Sequence, residues 1–340
     1  MSIISPLQAE EIKAFLHQNQ NIVITSHHNP DGDAIGSILG LYHILRGMGV
    51  PSTMIIPNDI PEFLNWLPGA AQILRYSKNP NEAKEHIKNA QVLFALDYNG
   101  SARLEKMEKH FAESQAVKVL IDHHPNPEKG FNYYFSQTAA SSTAELVYEF
   151  AHAIGAQSFI NTHCAINLFA GIMTDTGSFS YACSSPRTFE IVARLVSLGV
   201  KVEEVQQKVY NNFSEDRMRL MGHSLATKMR VFHEFKAAYI SLTRDELKRF
   251  NYRIGDTEGL VNLPLSIKGI IFSALLVENT DFVKVSLRSS GNFPVNKICE
   301  EFFNGGGHQN AAGGKSFATI TETENKFIEV LNTYKDMLNP

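Results

Sequence analysis

The chain has 340 residues, with 31 Lys and Arg against 35 Asp and Glu for a formal net charge of −4, and 44% of it is hydrophobic. That length supports two domains, each with its own core, in an ordinary soluble globular protein. The mild acidity and the lack of a Lys/Arg block exclude a basic groove for long nucleic acid and favour a small or short anionic substrate held at a few points.

Pro6 to His17 has the pattern of an amphipathic helix leading into a strand over residues 21–26. The segment His27-His28-Asn29-Pro30-Asp31-Gly32-Asp33 then makes a turn before a helix rich in Ile and Leu that stops near Gly47 and Gly49. Pro30 biases Asn29 towards extended geometry, and Gly32 permits a tight turn between the two aspartates. One imidazole and two carboxylates in the spacing H-x3-D-x-D suit a divalent cation, although a polar turn with Asp33 capping the next helix gives the same pattern. Thr53 to Ile56 reads as a second strand, and residues 58–90 as mixed, with short helices.

Two further apolar runs end in chemistry-bearing residues, Gln91 to Asp97 and Val117 to Asp122-His123-His124. Continuous Val/Ile/Leu runs between helical segments indicate parallel strands buried on both faces, and such sheets bind ligands outside the carboxyl ends of their strands. The first-half strands therefore bring Asp and His to one edge, joined by Asp175 at the end of an apolar helix over 161–174. Ser142-Thr-Ala-Glu145 has capping-box spacing and opens a helix to Ile154, closed by Gly155. Ser185-Pro186 opens another helix through Leu198, and helical segments over 202–211 and 214–230 connect the domains, with the boundary near residue 212.

The second half changes character. Ala237 to Leu242, Ile270 to Val277 and Val283 to Arg288 read as strands; Thr243-Arg-Asp-Glu246 is a capping box; Pro294 to Phe303 and Thr323 to Leu338 read as helices. In Gly305-Gly306-Gly307-His308, consecutive glycines let backbone N–H groups approach a phosphate, His308 adds a donor, and Arg288 could supply a bidentate clamp. A flexible surface loop is the bland alternative, and Gly313 and Gly314 could serve only to pack the next strand. Cys164, Cys183 and Cys299 are scattered without a C-x-x-C pair, which excludes a disulfide framework and fits a reducing compartment. With no signal-peptide pattern and no bilayer-length run, the expectation is a cytoplasmic protein with no membrane partner.

With these stations in view, the sequence resembles the DHH phosphoesterase superfamily, named for the Asp122-His123-His124 triplet. The four N-terminal motifs match in order, and the Gly305 to His308 segment is similar to the signature of the DHH-associated C-terminal domain. The compact form is most similar to the bifunctional oligoribonuclease/pAp phosphatases, or nanoRNases. The resemblance implies an α/β fold: an N-terminal parallel-sheet domain over 1–212 with helices on both faces, and a smaller C-terminal α/β domain over 213–340. It places the active site in the cleft between them. It also implies two divalent cations, manganese being the one the family most often uses. One would be held by His27, Asp31 and Asp97, the other by Asp33, Asp97, His123 and Asp175, with Asp97 bridging.

By the same resemblance His124 faces the substrate phosphate, and the second domain, with Arg288, Gly305, Gly306, Gly307 and His308, grips the nucleotide. Asp122 then orients an imidazole. Arg103 either neutralises a phosphate oxygen or is a surface arginine, and His28 leaves the ligand choice at the first station open. The implied substrates are short oligoribonucleotides and 3′-phosphoadenosine 5′-phosphate (pAp). Cyclic or linear signalling dinucleotides are the same-class alternative, and a non-catalytic nucleotide-binding regulator is the alternative from another class. A homodimer is left open.

Overall fold

The computed structural model describes residues 5–18, 21–211 and 213–339. The chain divides into two compact units, Met1–Asn212 and Phe213–Pro340. Residue 212, the expected boundary, and residues 1–4 lie outside the described residues.

The first unit is built on six parallel strands: β1 (Ile22–Thr25), β2 (Ser52–Ile56), β3 (Leu74–Arg75), β4 (Val92–Leu96), β5 (Val117–Asp122) and β6 (Tyr133–Ser136). They stand in the order β3-β2-β1-β4-β5-β6. The helices are α1 (Pro6–Gln18), α2 (Gly32–Gly47), α3 (Pro80–Lys88), α4 (Glu108–Glu113), α5 (Thr143–Ala153), α6 (Thr162–Asp175), α7 (Pro186–Ser197) and α8 (Val202–Tyr210). Strand side chains alternate between two cores, which is why these runs are apolar throughout. Ile22, Ile24, Phe94 and Ile121 join α1, α2, α5 and α6 on one face. Val23, Leu93, Ala95 and Leu120 meet α3 and α4 on the other. The strand order reverses between β1 and β4, the place where an open parallel sheet leaves a crevice at its carboxyl edge.

Helix α2 lies against α6 because glycines permit it. A Cβ on Gly36 would stand 2.6 Å from the Asn167 carbonyl oxygen, and one on Gly171 would stand 2.7 Å from the Ala144 methyl.

Two expectations for the first turn fail. Asn29 is left-handed (φ 55°) rather than extended, a conformation asparagine tolerates. It is held there by a pair of hydrogen bonds: its N–H donates to Asn58 Oδ1 at 2.7 Å, and its own Oδ1 accepts from Asn58 Nδ2 at 2.8 Å. Gly32 is the first residue of α2 rather than a turn between the aspartates. It must be glycine because a Cβ would collide with Thr174 Oγ1 at 2.2 Å. The capping box at Ser142 is only half formed. Ser142 accepts from the Glu145 N–H, but the Glu145 carboxylate turns instead to Ser141 and Thr188.

The second unit contains α9 (Glu215–His223), β7 (Met229–Phe232), β8 (Ala237–Leu242), α10 (Arg244–Arg249), β9 (Phe272–Glu278), β10 (Val283–Ser289), α11 (Val295–Phe302), β11 (Gly306–His308), β12 (Ala311–Ser316), α12 (Ile320–Thr333) and α13 (Lys335–Leu338). Its sheet runs β11-β12-β10-β9-β8-β7 and is antiparallel except between β8 and β9. The helix expected over 214–230 is α-helical to His223 and continues as a π-helical stretch over Ser224–Lys228; only its last two residues belong instead to Met229–Phe232, an edge strand paired to β8. The final helix starts three residues earlier than the sequence suggests, because Thr319 and Glu322 form a reciprocal capping box. One sheet face buries Tyr239, Phe272, Val285 and Leu287 under α11 and α12. On the other face, Ile240 and Leu275 pack with Leu220, Leu247, Leu260 and Val261. Among the described residues, no helix is long and apolar enough to cross a membrane.

Candidate active site

Three strand ends and two helix ends meet at the carboxyl edge of the parallel sheet. β1 runs into buried His27, β4 into buried Asp97, and β5 into Asp122, His123 and His124. Asp31 caps α2, its Oδ1 accepting the N–H groups of Asp33 and Ala34, both at 3.0 Å. Asp175 closes α6. Asp97 itself is left-handed (φ 64°), a sparsely populated conformation for a residue with a side chain and one that recurs at functional sites.

The side chains form two groups sharing one carboxylate. The ligand atoms of His27, Asp31 and Asp97 lie within 4.8 Å of one another, as do those of Asp33, His123 and Asp175. Asp97 faces both groups. Its Oδ2 is 3.4 Å from His27 Nε2, and its Oδ1 is 3.7 Å from His123 Nε2. His123 Nε2 also looks at Asp175 Oδ2 (3.4 Å) and Asp33 Oδ2 (3.9 Å). His28 belongs to neither group; it contributes its carbonyl, which accepts from His27 Nδ1–H at 2.9 Å.

That last hydrogen bond decides the tautomer. With the proton on Nδ1, His27 Nε2 presents a lone pair, is fully buried, and has no hydrogen-bond partner. It points at a carboxylate oxygen, so two acceptors face each other unless a cation stands between them. A backbone carbonyl fixing the far ring nitrogen is also how metal-binding histidines are oriented. The residues present therefore fit a pair of divalent cations.

The N-terminus of α5 supports this cage, and the sequence reading missed it. The N–H groups of Thr143 and Ala144 donate to the Asp33 carboxylate at 2.6 and 2.8 Å, and Thr143 Oγ1–H donates to Asp97 Oδ1 at 2.9 Å. Ser37 adds a donor to Asp33 at 3.2 Å. The Ser142 cap signal located this helix start; nothing local in the sequence aims it at residues 110 and 46 positions away.

The electrostatics follow from burial. Desolvation, with Asp97 and Asp175 facing it, pushes the Asp33 carboxyl well above the usual carboxylate range. Burial pushes Asp97 the same way, but the imidazoles of His27, His124 and His123 that face it outweigh burial and hold Asp97 below that range. Burial alone would depress His123, yet Asp33, Asp97 and Asp122 overcome it and raise the imidazole.

A third arrangement flanks the cage. Asp122, fully buried, accepts from His124 Nδ1–H at 2.7 Å, and Arg103 Nη1–H donates to His124 Nε2 at 3.2 Å. Arg103, half-buried on a 3-10 helix over Ser101–Met107, is thus hydrogen-bonded to His124. Its carbonyl also accepts from the His28 N–H at 2.8 Å, which locks it to the first turn.

In the second unit the glycine segment is a hairpin at the sheet edge rather than a loop. β11 pairs with β12, matching Gly306 with Gly313 and His308 with Ala311. Gly305 and Gly307 are needed because Cβ atoms there would lie 2.0 and 2.5 Å from the carbonyl oxygens of Gly313 and Ala311. Gly314 is needed against the Phe303 carbonyl. Register places His308, Ala311 and Arg288 in one cross-strand row. Arg288 donates to the Leu287 carbonyl at 3.0 Å.

Residues 21–172 match the DHH family N-terminal domain, and residues 236–339 match the DHHA1 domain. The bifunctional oligoribonuclease and PAP phosphatase NrnA of Thermus thermophilus is 31% identical over 308 residues, covering 90% of this chain and 86% of that one. The chain belongs to the DHH family. The NrnA protein of Bacillus subtilis, which carries the same description, is 28% identical over 298 residues, covering 87% of this DHH protein and 90% of its own length. The crystal structure of an exopolyphosphatase-related protein from Bacteroides fragilis superposes with a TM-score of 0.95 at 41% identity and full coverage of both chains. The DHH match spans β1 to most of α6, and the DHHA1 match spans β8 to α13.

Proposed function

We propose that this DHH phosphoesterase hydrolyses short oligoribonucleotides to mononucleotides and pAp to AMP, using two divalent cations. The observation that carries the reading is His27 Nε2, buried without a hydrogen-bond partner and aimed at Asp97 Oδ2. The NrnA relatives, matched along nearly their whole length, support the substrate class.

His27, Asp31 and Asp97 would hold one cation; Asp33, Asp97, His123 and Asp175 would hold the other. When bound, the pair polarises phosphoryl oxygens and activates water at neutral pH. Manganese is our assignment for both positions. The protein's own groups do the rest. Asp97 would serve both positions, and the start of α5 fixes Asp97 and Asp33 so that neither reorients as charge develops. Asp122 holds the His124 ring by Nδ1; protonated at Nε2 once substrate takes the Arg103 guanidinium from it, His124 would donate there to the scissile phosphate or the leaving oxygen, beside Arg103. Arg288, His308 and the Gly305 to Gly307 backbone grip a substrate phosphate. We place the protein in the cytoplasm.

Turnover with manganese on pAp, a dinucleotide, a pentanucleotide, long RNA and pyrophosphate tests the reading. Rapid product from the first three and little from the last two is expected. Equal rates on long and short RNA would overturn it. A cyclic dinucleotide as the sole substrate would shift it to a signalling phosphodiesterase.

A further inference from the structure

The unfinished capping box of α5 leaves a buried carboxylate with another task. Glu145 occupies the position from which a box glutamate reaches back to the N-cap N–H, here that of Ser142. Its Oε2 instead accepts from the Ser141 N–H at 3.3 Å, the Ser141 hydroxyl at 2.6 Å and the Thr188 hydroxyl at 2.8 Å. Glu145, Ser141 and Thr188 are all buried. Burying a carboxylate is costly. The helix cap does not require it, because Ser142 Oγ already accepts from the Glu145 N–H at 3.1 Å.

One carboxylate oxygen thus ties the turn before α5 to helix α7. The neighbours of Ser141 show what that tie holds. The Ala140 carbonyl accepts from His123 Nδ1–H at 3.4 Å. Thr143 and Ala144 carry the N–H groups that hold Asp33 and the hydroxyl that holds Asp97 Oδ1, the oxygen facing His123. Residues 140–144 therefore touch Asp33, Asp97 and His123. The other group is supported elsewhere, His27 by the His28 carbonyl and Asp31 by the start of α2. Helix α7 is a firm anchor for the tie, since Arg187, next to Thr188, also pairs with Glu149 of α5.

We propose that Glu145 is a positioning residue for the cation position of Asp33, His123 and Asp175. By clamping Ser141 to α7 it sets the turn 140–144, and the turn sets the two carboxylates and the imidazole. This rests on the two-cation reading. Its consequence is an asymmetry: loosening the clamp weakens this position and spares the one at His27 and Asp31.

Calorimetric titration of the metal-free protein with manganese tests the clamp in Glu145→Ala, Glu145→Gln and Thr188→Val. Wild type should bind two equivalents. Alanine should weaken one of them about tenfold, the low end of the range for groups that orient a metal ligand. Glutamine, whose amide oxygen can accept the same three donors, should recover most of that affinity. Valine at 188 keeps the Arg187–Glu149 pair and should weaken the same equivalent about threefold, as for one lost hydrogen bond. Equal losses at both equivalents would overturn the proposal. So would a lowered melting temperature with both affinities intact, which marks a merely structural role. Should the alanine variant not fold, Thr188→Val decides alone, and unchanged affinities there overturn the clamp. Absence of manganese binding by wild type would sink the two-cation reading instead.

Discussion

Thr143→Val isolates the support that α5 gives the metal cage. The side chains are nearly isosteric, so packing is preserved and the Thr143 N–H still donates to Asp33. What disappears is one hydroxyl donor, 2.9 Å from Asp97 Oδ1 with both residues buried. A hydrogen bond to a charged group contributes about 1.5–3 kcal/mol, and 1.4 kcal/mol is a factor of ten in an equilibrium constant. Cation affinity should therefore fall between about ten- and a hundredfold, the usual range for a partner that orients a metal ligand. Titration calorimetry with manganese measures it directly, and the manganese concentration giving half-maximal turnover should move in parallel. Because Thr143 reaches only the two carboxylates, KM for pAp at saturating metal should stay near wild type. Thr143→Ser restores the hydroxyl and should recover most of the affinity. Wild-type manganese binding by the valine variant, or failure of serine to rescue, would refute the idea that this hydroxyl positions Asp97.

Asp97→Asn keeps the shape but removes the charge shared by both groups; turnover should vanish and the calorimetric stoichiometry should drop below two, whereas wild-type activity would reject the bridge. Gly171→Ala drives a methyl to 2.7 Å from Ala144 and 3.1 Å from Asp33 Oδ1; overpacking there should cost about 1–3 kcal/mol, visible as a melting temperature lower by several degrees, and an unchanged melt would refute the close approach. In the second unit, burial opposes ionisation of Glu246, but the Thr243 N–H, His223 and Lys228 outweigh it and hold the carboxyl at about 2. A depressed carboxylate stabilises the fold above its unfolded value and loses that contribution as pH falls through the folded one. The melting-temperature gap between wild type and Glu246→Ala should therefore be full at pH 6, shrink as the solution is acidified below about pH 4.5, and close near pH 2; a gap independent of pH would remove the carboxylate's charge from the explanation.

What could be read from the chain alone was whatever the local pattern determines. Unbroken apolar runs ending in Asp97 and Asp122 could only be buried parallel strands, and parallel strands deliver their ends to one edge. Capping residues marked helix starts because their chemistry is confined to one turn, as at Thr243, where the full box forms. The failures are tertiary. Glu145 abandons its own cap because Ser141 and Thr188 offer better-placed hydroxyls. Met229–Phe232 is extended because β8 offers it an edge, and nothing within 214–230 announces that. Gly32 looks like a turn residue in sequence, yet it and Gly36 bring α2 and α6 into contact, and Gly171 lets α6 approach Ala144 of α5 and Asp33 of α2.

The cage shows why ligand identity is easier to read than ligand support. A cation site needs several acceptors at one point, and acceptors at one point are costly in a protein without the cation. Asp31, Asp33, Asp97 and Asp175 carry that cost visibly in the sequence, as carboxylates at the ends of apolar segments. The groups that make it bearable are anonymous: a helix start, a threonine hydroxyl, the carbonyls of His28 and Ala140. Each is a residue or backbone atom found anywhere in a protein, and each becomes specific only when the fold points it. His28 is the clearest case. Its imidazole is the part the sequence advertises, but its carbonyl sets the tautomer of His27, and with it the lone pair on which the metal reading depends.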